Sequence, residues 1–351
     1  MARIAMVVTN ECSPDPRVER HSRWLGESGH HVTIFAWDRS HSNDEKSQHE
    51  HYLIHRKRIG TNPPNSPLKI INAKKKFLSS LEGDYDVVVF NDSDTLSKNN
   101  LQSESEILDL HDLAHAWPLM QKNSFPRRIL SYRMKKQLLQ NKQRFQCIFT
   151  SSPGLRNHFD NEFGIESTVV LNRRDTQRLP RPMTKTVGYF GRIRDLDSMK
   201  LLMNSAKQGG FNVLLAGDGP CTDEVLQLFP EIDYRGAFDE DGLKTLMAEI
   251  DVMYAMYNPE KENIRSGALP VKMFDAAAFG RPTITTAGVP MGDFCLEEGM
   301  GVTAQFGNVQ SVIEAFKEAY EIEISECKGE DLERNIFLSR FETVLTSIDR
   351  K

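Results

Sequence analysis

At 351 residues the chain exceeds what one ordinary hydrophobic core supports, so two domains of moderate size are expected. Apolar residues make up 39% and charged residues 26%, the balance of an ordinary water-soluble globular protein. The net charge of -5 argues against bulk nucleic-acid binding.

In chain order, Arg3 to Thr9 (RIAMVVT) reads as a buried strand. Met1 to Asn10 has neither the basic flank nor the cleavage pattern of a signal peptide, and no apolar run approaches membrane-spanning length. Asp15-Pro16 supplies an N-cap and a first-turn proline for a helix to about Glu27, Gly29 ends it, and His31 to Ala36 starts the next strand. Asp86 to Phe90, Cys147 to Thr150 and Thr168 to Leu171 are further strands of this half. Asp175 to Thr184 (DTQRLPRPMT) is polar, holds two prolines and lacks periodicity, so it reads as a linker.

The second half repeats the order. Thr186 to Phe190 is a strand, Asp197-Ser198 caps a helix to about Lys207, and Gly209-Gly210 closes it before the strand Asn212 to Ala216. Asp251 to Tyr254 and Thr283 to Thr285 follow as strands, with a helix between them that begins at Pro270 and ends at Gly280. Strands alternating with amphipathic helices predict a parallel, doubly wound α/β sheet in each half. Two such domains facing one another place a cleft at the carboxyl ends of their strands. The first turn, NECSPDP at 10 to 16, has no Gly-x-Gly-x-x-Gly, which disfavours a dinucleotide dehydrogenase. The five cysteines (Cys12, Cys147, Cys221, Cys295, Cys327) are scattered, odd in number and without a Cys-x-x-Cys pair. They read as free thiols in a reducing cytoplasm, not as a disulfide framework or zinc site.

Residues 270 to 282, PVKMFDAAAFGRP, resemble the Pro-x-Lys-x-Phe-Glu-x-x-Ala-x-Gly-Lys-Pro signature of GT-B glycosyltransferases, especially glycosyltransferase family 4 (group 1). GYFGRIR at 188 to 194, LLAGDGP at 214 to 220 and YRGAF at 234 to 238 support it, in the family's order. The first half adds DPRVERHSRWLGESGHHVT (15 to 33), LDLHD (108 to 112) and LNRRD (171 to 175). The resemblance implies GT-B architecture, two facing Rossmann-like doubly wound domains with a cleft between them. Residues 1–175 would bind the acceptor, 176–184 link, and 185–330 bind the nucleotide sugar; 331–351 would form a helix packing back on the first domain. It also implies a nucleotide-diphosphate sugar donor (UDP-, GDP- or ADP-linked), retention of anomeric configuration, no cofactor and no bound metal.

Physical chemistry assigns the helix at 270 a role in such a site. Gly267, Ala268 and Leu269 precede its N-terminus, where unpaired N–H groups and the positive dipole end favour a diphosphate. The dipole contributes only about 0.3–1 kcal/mol, so Arg192, Arg194 and Lys272 are expected to neutralise most of the charge on the departing diphosphate. Asp275 falls on the family's ribose-binding glutamate, and Gly236 and Ala237 (from YRGAF) are expected in the donor site. Three positions depart from the family. Gly267 stands where relatives carry a sugar-contacting glutamate, leaving Arg265 and Ser266 as its polar neighbours. Asp197 stands where many have a lysine, with Arg194 as the substitute, and Asp275 is one methylene shorter than glutamate. Alternatively, Lys272 is a solvated surface charge and Asp275 a polar residue of the helix.

In the first half, His111 is the catalytic-region candidate, hydrogen bonding the donor sugar or acceptor; the alternative is a histidine satisfied at a strand end. Asp15, Arg17, Asp92, Asp94 and Asp112 are expected at the acceptor site or cleft. Asp15 also reads as a helix cap with Arg17 and Arg20 on a solvated face. Asp92-Ser93-Asp94 follows a strand as the metal-binding triplet of the other glycosyltransferase fold does, but the two-domain plan argues against that fold. His111 and His115, four apart, lack the third ligand spacing of a metal site.

Residues 125 to 145 (FPRRILSYRMKKQLLQNKQRF) hold Arg127, Arg128, Arg133, Lys135, Lys136, Lys142 and Arg144 and no acidic residue; Lys74, Lys75 and Lys76 form a second basic cluster. Such a helix reads as an anionic-membrane face or as a solvated face. The resemblance, with the membrane reading of this helix, implies a hexosyltransferase acting on a lipid-linked or cell-surface glycan precursor in polysaccharide biosynthesis. Its expected place is the cytoplasm, peripheral at the inner membrane face. A sugar-nucleotide epimerase or hydrolase, or a non-catalytic nucleotide-sugar-binding protein, stands as the alternative.

Overall fold

The structure, a computed structural model, describes residues 1–60, 67–120, 124–326 and 328–348; Cys327 lies outside the described residues. The chain divides into two compact units, Met1–Leu171 with Glu333–Lys351, and Asn172–Leu332.

The first unit is built on an eight-stranded sheet in the spatial order Lys46–Gln48, Tyr52–Lys57, His31–Trp37, Arg3–Val7, Glu82–Asn91, Asn100–Leu110, Cys147–Thr150 and Thr168–Val169. All neighbours are parallel except Lys46–Gln48. Alternation along the first strand feeds two cores: Ile4 and Met6 join the cluster on one face, Ala5 and Val7 that on the other. The first face is covered by the helices Pro16–Glu27 and Glu330–Ile348. Phe337 of the latter stacks on His21 with ring centroids 4.3 Å apart and meets Trp24 and Phe149.

The strands Tyr52–Lys57 and Asn100–Leu110 were not foreseen. The latter begins NLQSES, whose polar residues extend the sheet beside Glu82–Tyr85 beyond the apolar core, so no hydrophobic run marks it. The helix at the first strand is as expected: Pro16 opens it and the Asp15 side chain accepts from Val18 N.

The second unit has a six-stranded parallel sheet in the order Asp233–Tyr234, Asn212–Ala216, Thr186–Phe190, Val252–Ala255, Thr283–Thr286 and Gly301–Ala304. One cap is corrected. Asp195, not Asp197, accepts from Ser198 N and starts the helix Leu196–Gly209; Asp197 lies within its first turn, where an acid still suits the dipole. Gly210, at φ 71°, ends it.

Residues 172–183 hold no helix or strand, yet they are fastened to this unit. Fully buried Arg281 donates to the carbonyls of Leu179, Pro180 and Met247, and the buried Asp251 carboxylate accepts from Met183 N, Thr184 N and Thr186 N. The helix Val271–Ala278 buries Met273, Phe274, Ala276, Ala277 and Ala278. Phe279 and Ala276 pack with Phe190, Leu214 and Ala216 beneath the strand ends.

Candidate functional site

In the second unit, three glycine-bearing loops interlock. Gly191 N donates to Ala216 O, Ile193 N to Asp218 O, and Gly217 N to Gly236 O. A Cβ on Gly217 would lie 2.0 Å from Gly191 O, and one on Gly219 2.2 Å from Ile193 O. Both glycines have positive φ, so backbone packs on backbone here and no side chain fits. This fixes the strand-end loop that carries Arg192 and Arg194. Both arginines are exposed, Arg192 with Asp218 at 3.7 Å, and Ala237 is exposed beside Gly236.

Lys272 lies against that loop: a Cβ on Gly191 would meet its Nζ at 3.9 Å. The Lys272 Nζ is covered, has no hydrogen-bond partner among the described residues, and sits 3.2 Å from the centroid of the Tyr189 ring. Burial lowers its pKa well below the usual lysine value, Arg194 adds to the shift, and Asp275 opposes it. Lys272 is therefore a buried cation over an aromatic face, not a solvated surface charge.

The expected amide cluster is narrower than the sequence suggests. Gly267 N and Ala268 N already donate to Ile264 O and Asn263 O, because a short helix, Glu262–Arg265, turns immediately before them. Gly267 takes φ 91°, which glycine allows. Among the described residues Leu269 N, Val271 N and Lys272 N donate to no backbone acceptor, so of the three expected amides only that of Leu269 is open, with those of Val271 and Lys272 beyond it. Ser266 caps the short helix and Arg265 is exposed.

Asp275 accepts from Arg174 Nη1 at 3.0 Å, and Arg174 also pairs with Glu240 and lies over the Phe279 ring. Arg174 lies within LNRRD, and only the fold brings residue 174 beside residue 275.

The first unit gathers a second set. A cavity of about 240 Å³ is lined by Asp15, Asp92, Asp94, His111, Asn91 and Trp117, among others. His111 Nε2 lies 2.8 Å from Asp92 Oδ2, and the amides of His111 and Asp112 donate to Asp92 Oδ1. Asp92 takes φ 65° to present its carboxylate this way. Burial would push His111 down, but Asp92 and Asp109 outweigh it and hold the imidazole well above its usual value. Asp94 accepts from Thr9 Oγ1 and Lys74 Nζ, and Asp112 from Trp117 Nε1 and Leu113 N. Neither member of the Asp92–Asp94 triplet is arranged with a third ligand: among the described residues no group of three His, Cys, Asp or Glu could hold a metal ion.

Arg17 and Arg20 are corrected: both are buried, so the solvated face is elsewhere on that helix. Arg17 forks onto Asp109 through Nε and Nη2 at 2.9 and 2.8 Å and donates Nη1 to Val170 O. His21 Nδ1 lies 3.3 Å from the same carboxylate, and burial with Arg17 nearby lowers its pKa to about 3. Asp109 and His21 were not singled out by sequence. Asp109 is the floor on which both Arg17 and His111 rest, and LDLHD was its only signal. His115 is buried among His158 and Phe163, and burial lowers its pKa to about 3.

Residues 184–321 match the family model described as glycosyl transferases group 1. Among curated proteins, none matches the chain in sequence. Solved structures do match it in fold. Sucrose-phosphate synthase from Thermosynechococcus elongatus has a TM-score of 0.68 at 14% identity, covering 100% of this chain and 98% of that one. A TarM variant from S. aureus, in complex with fondaparinux, alpha-GlcNAc-glycerol and UDP, has a TM-score of 0.65 at 9% identity, covering 98% and 99%. HepE from Anabaena, in complex with UDP and glucose, has a TM-score of 0.59 at 12% identity, covering 100% of both chains.

Proposed function

The chain has the GT-B fold and over residues 184–321 matches the group 1 glycosyltransferases; on that premise we propose a retaining, metal-independent hexosyltransferase. Its donor is a nucleotide-diphosphate sugar. Its acceptor is a hydroxyl of a lipid-linked or cell-surface glycan precursor, met at the cytoplasmic face of a membrane.

The observation that carries this reading is Lys272, whose buried Nζ has no anionic hydrogen-bond partner among the described residues, at the start of a helix and against the Arg192–Arg194 loop. A diphosphate supplies that missing anion. As the sugar C1–O bond to the diphosphate breaks, negative charge grows on the leaving oxygen, and Lys272 with the two arginines stabilises it. The acceptor hydroxyl bonds to C1 on the same face and passes its proton to a leaving-phosphate oxygen, releasing the nucleoside diphosphate. The Asp275 carboxylate accepts from the ribose hydroxyls. In the first unit, the cavity that His111 lines with Asp92 and Asp94 receives the sugar hydroxyls. The HepE and TarM structures hold UDP, which supports a uridine nucleotide among the donors to be tried first.

The test is transfer from labelled UDP-, GDP- and ADP-sugars in the presence of a membrane extract. Label entering the lipid fraction, undiminished by EDTA, is expected. Acceptor-free release of sugar would favour a hydrolase or epimerase, and donor binding without turnover a non-catalytic binding protein. Activity lost in EDTA and restored by Mn²⁺ would overturn the metal-free mechanism.

A further inference from the structure

The helix Phe125–Asn141 carries apolar residues on opposite faces. Its inner face places Leu138 in a core of the first unit and buries Ser131 near it. Its outer face presents Phe125, Ile129, Tyr132 and Leu139, whose spacing puts them on one stripe. All four are exposed, Phe125 by 76% and Tyr132 by 67%. Soluble proteins scatter such residues singly, whereas a stripe of them marks a contact surface.

The cations on this helix separate by face. Arg127 donates to Pro118 O on the inner side, and farther along Lys142 bonds the carbonyls of Phe163 and Gly164 while Arg144 pairs with Glu106. Arg128, Arg133 and Lys136 stay exposed, beside or within the apolar stripe, and among the described residues none of the three is ion-paired. No acidic residue occurs from 125 to 145. Trp117 is also partly exposed, on the helix Trp117–Met120 that packs against this one.

We propose that this outer face docks on an anionic lipid surface. Phe125, Ile129, Tyr132 and Leu139 enter the boundary between headgroups and acyl chains, and Arg128, Arg133 and Lys136 bind headgroup phosphates. Charge selects this occupant. A second copy meeting the same face about a two-fold axis would set these cations against themselves with no acid to answer them. A chain of net charge -5 is repelled by an anionic bilayer overall, so attachment depends on the local patch and weakens steeply with salt. The inference serves the lipid-linked reading of the acceptor, and its test reads binding independently of turnover.

The full chain is sedimented with phosphatidylcholine vesicles, with and without about one third phosphatidylglycerol. Expected is binding to the anionic vesicles, on the order of a hundredfold or more weaker on phosphatidylcholine alone, and release in high salt. Two surface variants, Phe125→Ser with Tyr132→Ser and Leu139→Ser, and Arg128→Gln with Arg133→Gln and Lys136→Gln, each lower that binding by on the order of a hundredfold. Both should keep the wild-type Tm and the thermal shift with nucleotide sugar. Equal binding to the two vesicle types, no binding to either, or variants that bind as wild type would overturn the inference. So would a wild-type dimer that the apolar variant dissociates, which would assign the face to a second copy. Vesicle binding that persists without any nucleotide-sugar shift upholds this face and removes the transferase reading instead.

Discussion

The Lys272 Nζ rests 3.2 Å from the centre of the Tyr189 ring, and Tyr189 in turn donates its hydroxyl to Arg192 O. One aromatic side chain therefore supports the buried lysine and ties down the loop that carries Arg192 and Arg194. The Tyr189 ring, with the Tyr257 ring farther off at 5.9 Å, attracts the ammonium through its quadrupole and offsets part of the desolvation.

Replacing Lys272 should separate stability from activity. Lys272→Met removes an uncompensated buried charge and keeps the volume, so unfolding stability should hold or rise by about 1 kcal/mol. Transfer should meanwhile fall on the order of 10²–10³-fold, the usual loss of one group that stabilises transition-state charge. A urea melt and a kcat measurement on the same preparation check both. A variant that loses stability along with activity would make Lys272 structural.

At pH values above the depressed pKa of the free Lys272 amine, donor binding should take up a proton. In the free protein the Lys272 pKa is depressed by burial and by Arg194; a diphosphate beside the amine raises it again. Because the bound state holds more protons than the free state, affinity should fall as pH rises through the window between the two values. Calorimetry in two buffers of different ionisation enthalpy measures the uptake directly. Lys272→Met should abolish it, while Arg192→Gln should weaken binding and leave the uptake in place.

Asp275 is held by Arg174, so the two should be read together. Asp275→Ala removes the carboxylate expected to accept from ribose and should weaken donor binding by on the order of ten- to a hundredfold, since hydrogen bonds to charged groups contribute about 1.5–3 kcal/mol. Arg174→Met leaves the carboxylate in place but releases it from its 3.0 Å partner, so a smaller loss, confined to KM, is expected. Equal affinity in Asp275→Ala and wild type would remove the residue from the donor site.

The contrast between Asp275 and Arg174 shows what the sequence could reveal. The helix at 270 and the strands Thr186–Phe190 and Asn212–Ala216 follow from local signals: proline and glycine punctuation and apolar runs that a buried parallel strand requires. Lys272 and Asp275 were legible because they interrupt an apolar helix. Arg174, His21 and Asp109 were not, because each acquires its partner through tertiary packing between residues far apart in the chain, with separations of 92 for Arg17–Asp109 and 101 for Arg174–Asp275. The outer stripe of Phe125–Asn141 was hidden for another reason. A helix with apolar residues on opposite faces has no single apolar side, and only burial tells which face is covered.

His111 offers the remaining test, in the first unit. Between Asp92 and Asp109 its folded-state pKa lies well above the ordinary value of about 6.5, so the imidazole should stay protonated through neutral pH. A raised folded pKa contributes stability that is fully present below about pH 6.5 and disappears as pH rises through the folded value. The stability difference between wild type and His111→Gln should therefore shrink on the alkaline side and be largest near pH 6. Asp92→Asn removes the nearer carboxylate, leaving burial opposed by Asp109 alone, so the imidazole pKa should fall. Its proton NMR resonance should then titrate within the physiological range, and transfer should decline with rising pH where wild type is flat. An imidazole that titrates near its ordinary value in wild type would show that the Asp92 contact at 2.8 Å does not hold the charge.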